Sequence, residues 1–137
     1  MQVILFKLED KVYGLELQYC KEIDELKHLT PIQYTSENYK NYIEGITNLR
    51  GDIITVMNLK KLFDLKNTSY QQNIFILLKV KKGKVGILID QILDIVNLEN
   101  YHIDYSKGHI ESKLIPYIKF TVILNHKPIL ILNPESF

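Results

Sequence analysis

The sequence predicts a mainly β protein made of two similar small barrels with a few short helices, and three observations predict it. Apolar runs of strand length, rich in Val, Ile, Leu and Phe, are separated by short turns such as LEDKVYG and VKKGKVG, which is hairpin grammar. Residues 53–57 and 129–132 are largely apolar at successive positions, so both faces of those strands should be covered, as in a small closed barrel or between packed layers. The third observation is an internal repeat. Residues 3–23 align without a gap to residues 75–95 at an offset of 72, and residues 42–58 align to residues 117–133 at an offset of 75. Lys, Ile and Leu are common enough here for strand-rich segments to share letters by chance. The shared punctuation argues for duplication: Gly14 meets Gly86, Glu22 and Ile23 meet Asp94 and Ile95, and Tyr42, Ile43, Leu49, Ile54 and Asn58 each meet the identical residue.

Taken in order, residues 3–8 and 12–16 form a first hairpin around a charged turn. SENYKNYIEG offers Ser36 as an N-cap and Gly45 as a terminator for about two helical turns. LRGDI then turns between two apolar strands. In NLKKLF, Asn58 caps a short helix expected to bury Leu59, Leu62 and Phe63. DLKNTSYQQN is the most polar stretch and reads as a surface connection between the halves. The second half repeats the pattern through VKKGKVG and LNHKP. It ends in NPESF, where Asn133 caps and Pro134 takes the first helical position, at which its missing N–H costs nothing.

A chain of 137 residues, 46% of them hydrophobic, suits one compact unit. Seventeen basic against sixteen acidic residues give a net charge of +1, so no whole-protein field favours nucleic acid or an anionic membrane. The N-terminal apolar run has no basic residues ahead of it and is far too short to span a bilayer, which leads us to expect a cytosolic protein without direct membrane insertion. With Cys20 as the only cysteine, an internal disulfide and any Cys-pair zinc site are excluded.

Catalysis finds little footing. His28, His102, His109 and His126 are scattered, with no spacing that places two on one helix face. Cys20 would need a spatial histidine partner to act as a nucleophile, and Ile92 at its repeat-equivalent place favours an apolar role. No phosphate loop, nucleophile elbow or dinucleotide fingerprint is present, and no cofactor is expected. The basic run KVKKGK, from Lys79 to Lys84, has two readings: a solvated hairpin turn, or the nucleic-acid contact of a small-barrel binder. The Arg50–Gly51 turn also has two. Gly51 supplies the positive φ of a tight turn and Arg50 beside Asp52 keeps it wet, or Arg50 is an anchor for a protein partner.

GITNLRGDIITVMNLKKLF, residues 45–63, resembles the signature of the CheW family of chemotaxis coupling proteins, in which an Asn-Leu-Arg-Gly core leads into an apolar strand and a short helix. VYGLELQYCKEI looks like the family's entry segment, VGILIDQILDIV like its second-half counterpart, and YIKFTVILNHKPILILN like its closing hairpin. The resemblance implies a pair of five-stranded SH3-like barrels in a single domain over residues 1–137, the first barrel taking residues 12–75 and the second residues 1–11 plus 76–137. It further implies a non-catalytic adaptor in the cytoplasm, recruited to membrane-bound receptor arrays. Its partners would be the cytoplasmic hairpin tip of a chemoreceptor and the regulatory domain of a CheA-type histidine kinase.

Carried over by motif position, Glu22 and Arg50 are the polar candidates at the partner surface, and Gly45 and Gly51 shape the turn. Ile74 and Phe75 would supply apolar contact, with Asn48 and Asn58 as structural support. Sequence leaves open whether Glu22 and Arg50 pair with each other. The chain departs from the family pattern at Thr55, where a Pro is usual and an edge strand is in question, at Asn58 for Asp, at Phe120 for Gly, and at Pro134 for an apolar residue. These changes bear on the partner surfaces more than on the fold.

Overall fold

The computed structural model describes residues 1–32 and 41–137. Eleven strands form there: β1 Gln2–Leu8, β2 Lys11–Glu16, β3 Cys20–Glu25, β4 Ile43–Leu49, β5 Asp52–Met57, β6 Ile74–Val80, β7 Gly83–Ile89, β8 Gln91–Asn97, β9 His102–Asp104, β10 Ile118–Leu124 and β11 Lys127–Leu132. One short helix, α1 Leu59–Leu62, follows β5, and a 3-10 turn at Pro134–Ser136 closes the chain. The strands lie in two sheets, β3-β6-β7-β5-β4 and β8-β1-β2-β11-β10-β9. The mainly β, two-barrel expectation holds, with β9 giving the second sheet a sixth strand.

The internal repeat is visible strand for strand. Shifting by 72 carries β1, β2 and β3 onto β6, β7 and β8, and shifting by 75 carries β4 and β5 onto β10 and β11. Pairing registers follow. Thr55 opposite Val85 in the parallel β5–β7 pair is matched by Leu130 opposite Tyr13 in β11–β2. The bulge between Cys20 and Glu22 is matched by the one between Leu5 and Phe6 in the equivalent β1–β8 pair.

The strands are shared out differently from the boundaries that the resemblance implied. β2 sits with β1 in the second sheet, and β6 and β7 sit in the first, so each repeat donates its leading hairpin to the other repeat's sheet. Chain length forces this. Ile89 ends β7 opposite Ile74, and β8 begins after a single residue, Asp90. Were repeat two to close on itself, Ile92 would take the place that Cys20 holds opposite Leu78. That place lies about 13 Å along β6 and about 10 Å across it, whereas the backbone from Ile89 to Ile92 reaches at most about 11 Å.

Strand alternation then divides the core in three. Phe75 and Leu77 of β6 point into the first barrel with Ile54, Val56 and Leu88, while Val3 and Leu5 of β1 point into the second with Phe120, Val122 and Ile131. The intervening residues, Phe6 and Leu8 of β1 and Ile76 and Leu78 of β6, meet in a central cluster with Tyr13, Leu15, Phe63 and Leu132. Two buried faces per strand account for the near-continuous apolar runs. Each buried side chain of this kind contributes roughly 1.5–3 kcal/mol, so the seam is a full core and not a contact between independent barrels.

Helix expectations divide. Asn58 Oδ1 accepts the Lys61 N–H at 3.2 Å and starts α1 as read, and Asn133 caps the last turn through the Glu135 N–H at 3.2 Å, with Pro134 at its first position. α1 buries Leu59, Lys60 and Phe63 fully and Leu62 only in part. Of the helix expected around Ser36, residues 33–40 lie outside the described residues. Its supposed terminator Gly45 lies inside β4, where an added Cβ would stand 2.2 Å from the Thr30 carbonyl oxygen. Gly45 is there because another backbone passes too close for any side chain. We expect Gly45→Ala to cost about 1–3 kcal/mol of stability by overpacking, read as a lower urea midpoint at unchanged m-value.

Candidate docking surface

β4 and β5 are joined by two residues, Arg50 at φ 51° and Gly51 at φ 89°, which is the backbone of a tight hairpin turn with both central residues left-handed. Asn48 Oδ1 accepts the Gly51 N–H at 3.0 Å, so Asn48 supports the turn from inside. The turn aims Arg50 outward with 68% of its side chain exposed, and its Nη2 donates to Glu22 Oε1 on β3. The question left open by sequence is thereby answered: Glu22 and Arg50 pair across the barrel. The hydrogen bond and charge of Glu22 raise the guanidinium pKa further. On the far side of the turn Asp52 Oδ2 accepts from Lys84 Nζ at 2.6 Å, and this bond and charge hold the Asp52 carboxyl below its ordinary range.

Two exposed isoleucines lie close by in sequence. Ile53 is 61% exposed and Ile23, beside Glu22, is 43% exposed. A cavity of about 270 Å³ opens next to Arg50, lined by Asp24, Leu26, His28, Thr47 and Phe75 among others. Of the two apolar candidates, Ile74 is half-buried at the start of β6, whereas Phe75 is 1% exposed and belongs to the barrel core. Phe75 meets the surface only through the lining of that cavity. Alternation along β6 is the reason, since neighbouring residues point to opposite faces.

The second-half equivalents of Arg50 and Gly51 are Asn125 and His126, at φ 49° and 66°. The backbone of the turn is conserved between the repeats, and its charge is not. Among the departures, Thr55 sits in β5 between β7 and β4, so it is an interior and not an edge position. Phe120 is buried at the place equivalent to Gly45, and Pro134 is buried too.

Two buried ionic centres escaped the sequence reading. Lys60, 2% exposed, donates to Asp90 Oδ1 at 2.8 Å and to the Ser69 carbonyl at 2.8 Å, lies 3.1 Å from Glu9 Oε1, and sits 4.0 Å from the centre of the Tyr70 ring. Burial raises the Tyr70 hydroxyl well above its ordinary pKa, and that hydroxyl donates to Asn58 Oδ1 at 3.1 Å. Asn58 Nδ2 in turn donates to Glu44 Oε1 of β4 and to the Thr68 carbonyl, so Asn58 fastens α1 both to β4 and to the following loop. The second centre is Glu16, which accepts from Lys119 Nζ and Gln18 Nε2, both at 2.9 Å. A lysine in the first turn of a short helix ordinarily faces water. The acidic tip Glu9-Asp10 was the one signal that it had a partner.

Burial pushes the Cys20 thiol up to about 11, and among the described residues no three His, Cys, Asp or Glu side chains converge as metal ligands. Within the basic run, Lys84 is tied to Asp52, and the Lys81 N–H donates to Glu135 Oε1 at 2.8 Å, as befits a fastened hairpin turn. Among the described residues no helix is long and apolar enough to cross a membrane.

The two sheets thus form paired small barrels with an exposed arginine turn at one end. The CheW-like domain family model matches residues 2–137, and the chain belongs to that family. Chemotaxis protein CheW of Treponema pallidum is 33% identical over 100 residues, covering 69% of this chain and 56% of that protein. CheW of Thermotoga maritima is 24% identical over 135 residues, covering 90% and 87%. CheW of Klebsiella aerogenes is 31% identical over 98 residues, covering 71% and 57%. The chain thus spans little more than half the length of two of these relatives. In fold it is similar to the scaffolding protein TtCheW from Thermoanaerobacter tengcongensis, with a TM-score of 0.82 at 23% identity over 97% of this chain and 84% of that one.

Two outcomes are expected. Because a raised pKa leaves less thiolate at any given pH, alkylation of Cys20 by iodoacetamide in the folded protein should stay slow at pH 8–9 and accelerate only towards about 11. Lys60→Ala should cost about 3 kcal/mol in urea unfolding, the low end for breaking a buried ion pair, because Asp90 and Glu9 are partly exposed and can rehydrate. Lys60→Met, which fills the space, should cost clearly less.

Proposed function

We propose that the protein is a non-catalytic signalling adaptor of the cytoplasm, coupling the cytoplasmic tip of a chemoreceptor to the regulatory domain of a CheA-type histidine kinase within receptor arrays. Membership of the CheW-like family supports this reading, as do the names of the relatives. The observation that carries it is the Arg50 turn. Its guanidinium is held in place by Glu22 yet mostly exposed, and Ile53 and Ile23, close by in sequence, are exposed too. A planar cation fixed before binding loses little entropy on docking, and neighbouring apolar surface excludes water from the bonds that it makes. In this reading Glu22 and Arg50 form the polar centre of the contact, Gly51 and Asn48 hold the turn, Gly45 keeps β4 against the Thr30 segment, and half-buried Ile74 borders the surface.

A charge swap separates a contact from a purely structural pair. Arg50→Glu alone sets two carboxylates side by side, while Arg50→Glu with Glu22→Arg restores the internal pair with its surface sign reversed. Capture of receptor and kinase from native cytosol, quantified for both variants and the wild type, should show at least a tenfold loss for one partner with the single and the swapped protein alike, about 1.4 kcal/mol or more. Full recovery by the swap would mean that the pair serves the fold alone. A steep fall of wild-type capture with salt would favour a charged ligand such as nucleic acid bound through the lysine run.

A further inference from the structure

We infer that the two repeats are an obligate pair, each completing the other's barrel, and that the peptide bond between Gln71 and Gln72 is dispensable to the fold. Four features carry this. Each sheet is built from both repeats: β3, β4 and β5 of the first repeat hold β6 and β7 of the second, and β8, β10 and β11 of the second hold β1 and β2 of the first. Self-closure of the second repeat is barred by the single-residue step at Asp90. The central cluster draws Phe6, Leu8, Tyr13, Leu15, Met57 and Phe63 from the first repeat and Ile76, Leu78, Ile87, Ile89, Ile118 and Leu132 from the second. Neither repeat alone would cover these residues.

The fourth feature is a pair of clasps between the sheets. The hairpin-turn N–H of Glu9 donates to Asp90 Oδ2 at 2.6 Å, and its equivalent, the N–H of Lys81, donates to Glu135 Oε1 at 2.8 Å. Lys60, the equivalent of Glu135, holds Asp90 in position for the first of these. The same backbone donor is thus captured by a carboxylate in both repeats, from a different element each time. The loop between the repeats adds little to the bond between them. Its anchored part, Thr68 to Tyr70, is fastened to Asn58 and Lys60 of the first repeat, and Gln71 and Gln72 beyond it are exposed. A cut there leaves every contact described above in place. The paired barrels therefore move and unfold as one body, with no hinge between them.

The test is a site-specific protease sequence inserted between Gln71 and Gln72 of the full chain, purified folded and then cleaved. The nicked protein is expected to elute as one particle of unchanged size, to keep its amide spectrum outside the insertion, and to melt in one transition. That transition should now depend on protein concentration, as for any two-chain complex. Separation of the pieces without denaturant, or melting of one sheet before the other, would overturn the inference. Should the insertion itself block folding, native-state hydrogen exchange on the unaltered chain decides. Amides of Ile76 and Ile87 in one sheet and of Phe6 and Ile131 in the other should open with one common denaturant dependence, and two distinct dependences would refute it. Neither readout involves receptor or kinase, so its failure is independent of the adaptor reading.

Discussion

A single residue between two strands governs this structure. Asp90 allows β8 no path back to its own repeat, and so it sends the chain across the seam; everything else about the architecture accommodates that step. The exchange of hairpins follows, and with it the requirement that both faces of β1, β2, β6 and β7 be apolar, one for a barrel interior and one for the seam. Asp90 is also the residue that must be held. Its carboxylate takes the Glu9 N–H, its N–H donates to the Lys7 carbonyl at 3.0 Å, and Lys60 is drawn out of water to balance its charge. Desolvating a lysine is expensive and is tolerated here because its ammonium is bonded to Asp90 and the Ser69 carbonyl and lies beside the Glu9 carboxylate.

Much of this was legible beforehand. The repeat offsets of 72 and 75, read from letters, turned out to be offsets of whole strands with their registers and bulges, because glycine, turn and apolar period are local signals that survive duplication. The caps at Asn58 and Asn133 were legible for the same reason. Allocation of strands to barrels was not. Local pattern says that a hairpin forms, not which sheet receives it, and the deciding quantity was the distance that one residue can cover. Gly45 misled because a glycine before a strand and a glycine under a crossing backbone look alike in sequence.

At the surface, the Arg50 turn was readable through its motif, and its pairing with Glu22 was not, since those residues are distant in the chain and meet only when the barrel closes. Phe75 shows the opposite failure. An aromatic at the start of a strand is apolar enough for either a groove or a core, and only the phase of the pleat assigns it. Lys60 shows a third kind: its burial depends on the tip of a hairpin and a crossover residue that are remote in sequence, and no local pattern encodes their convergence.

The near two-fold likeness of the halves would, if complete, make the molecule indistinguishable from itself turned end for end. It is not complete. Where the first turn carries Arg50 facing Glu22, the second carries Asn125 and His126, with Asp94 standing in for Glu22. One backbone shape is thus presented twice with different chemistry, giving the body a head and a tail. The charges are rearranged at the tail as well, where exposed Lys127 stands in the place of Asp52, so whatever fits the arginine and its paired carboxylate at one end meets a different pattern at the other.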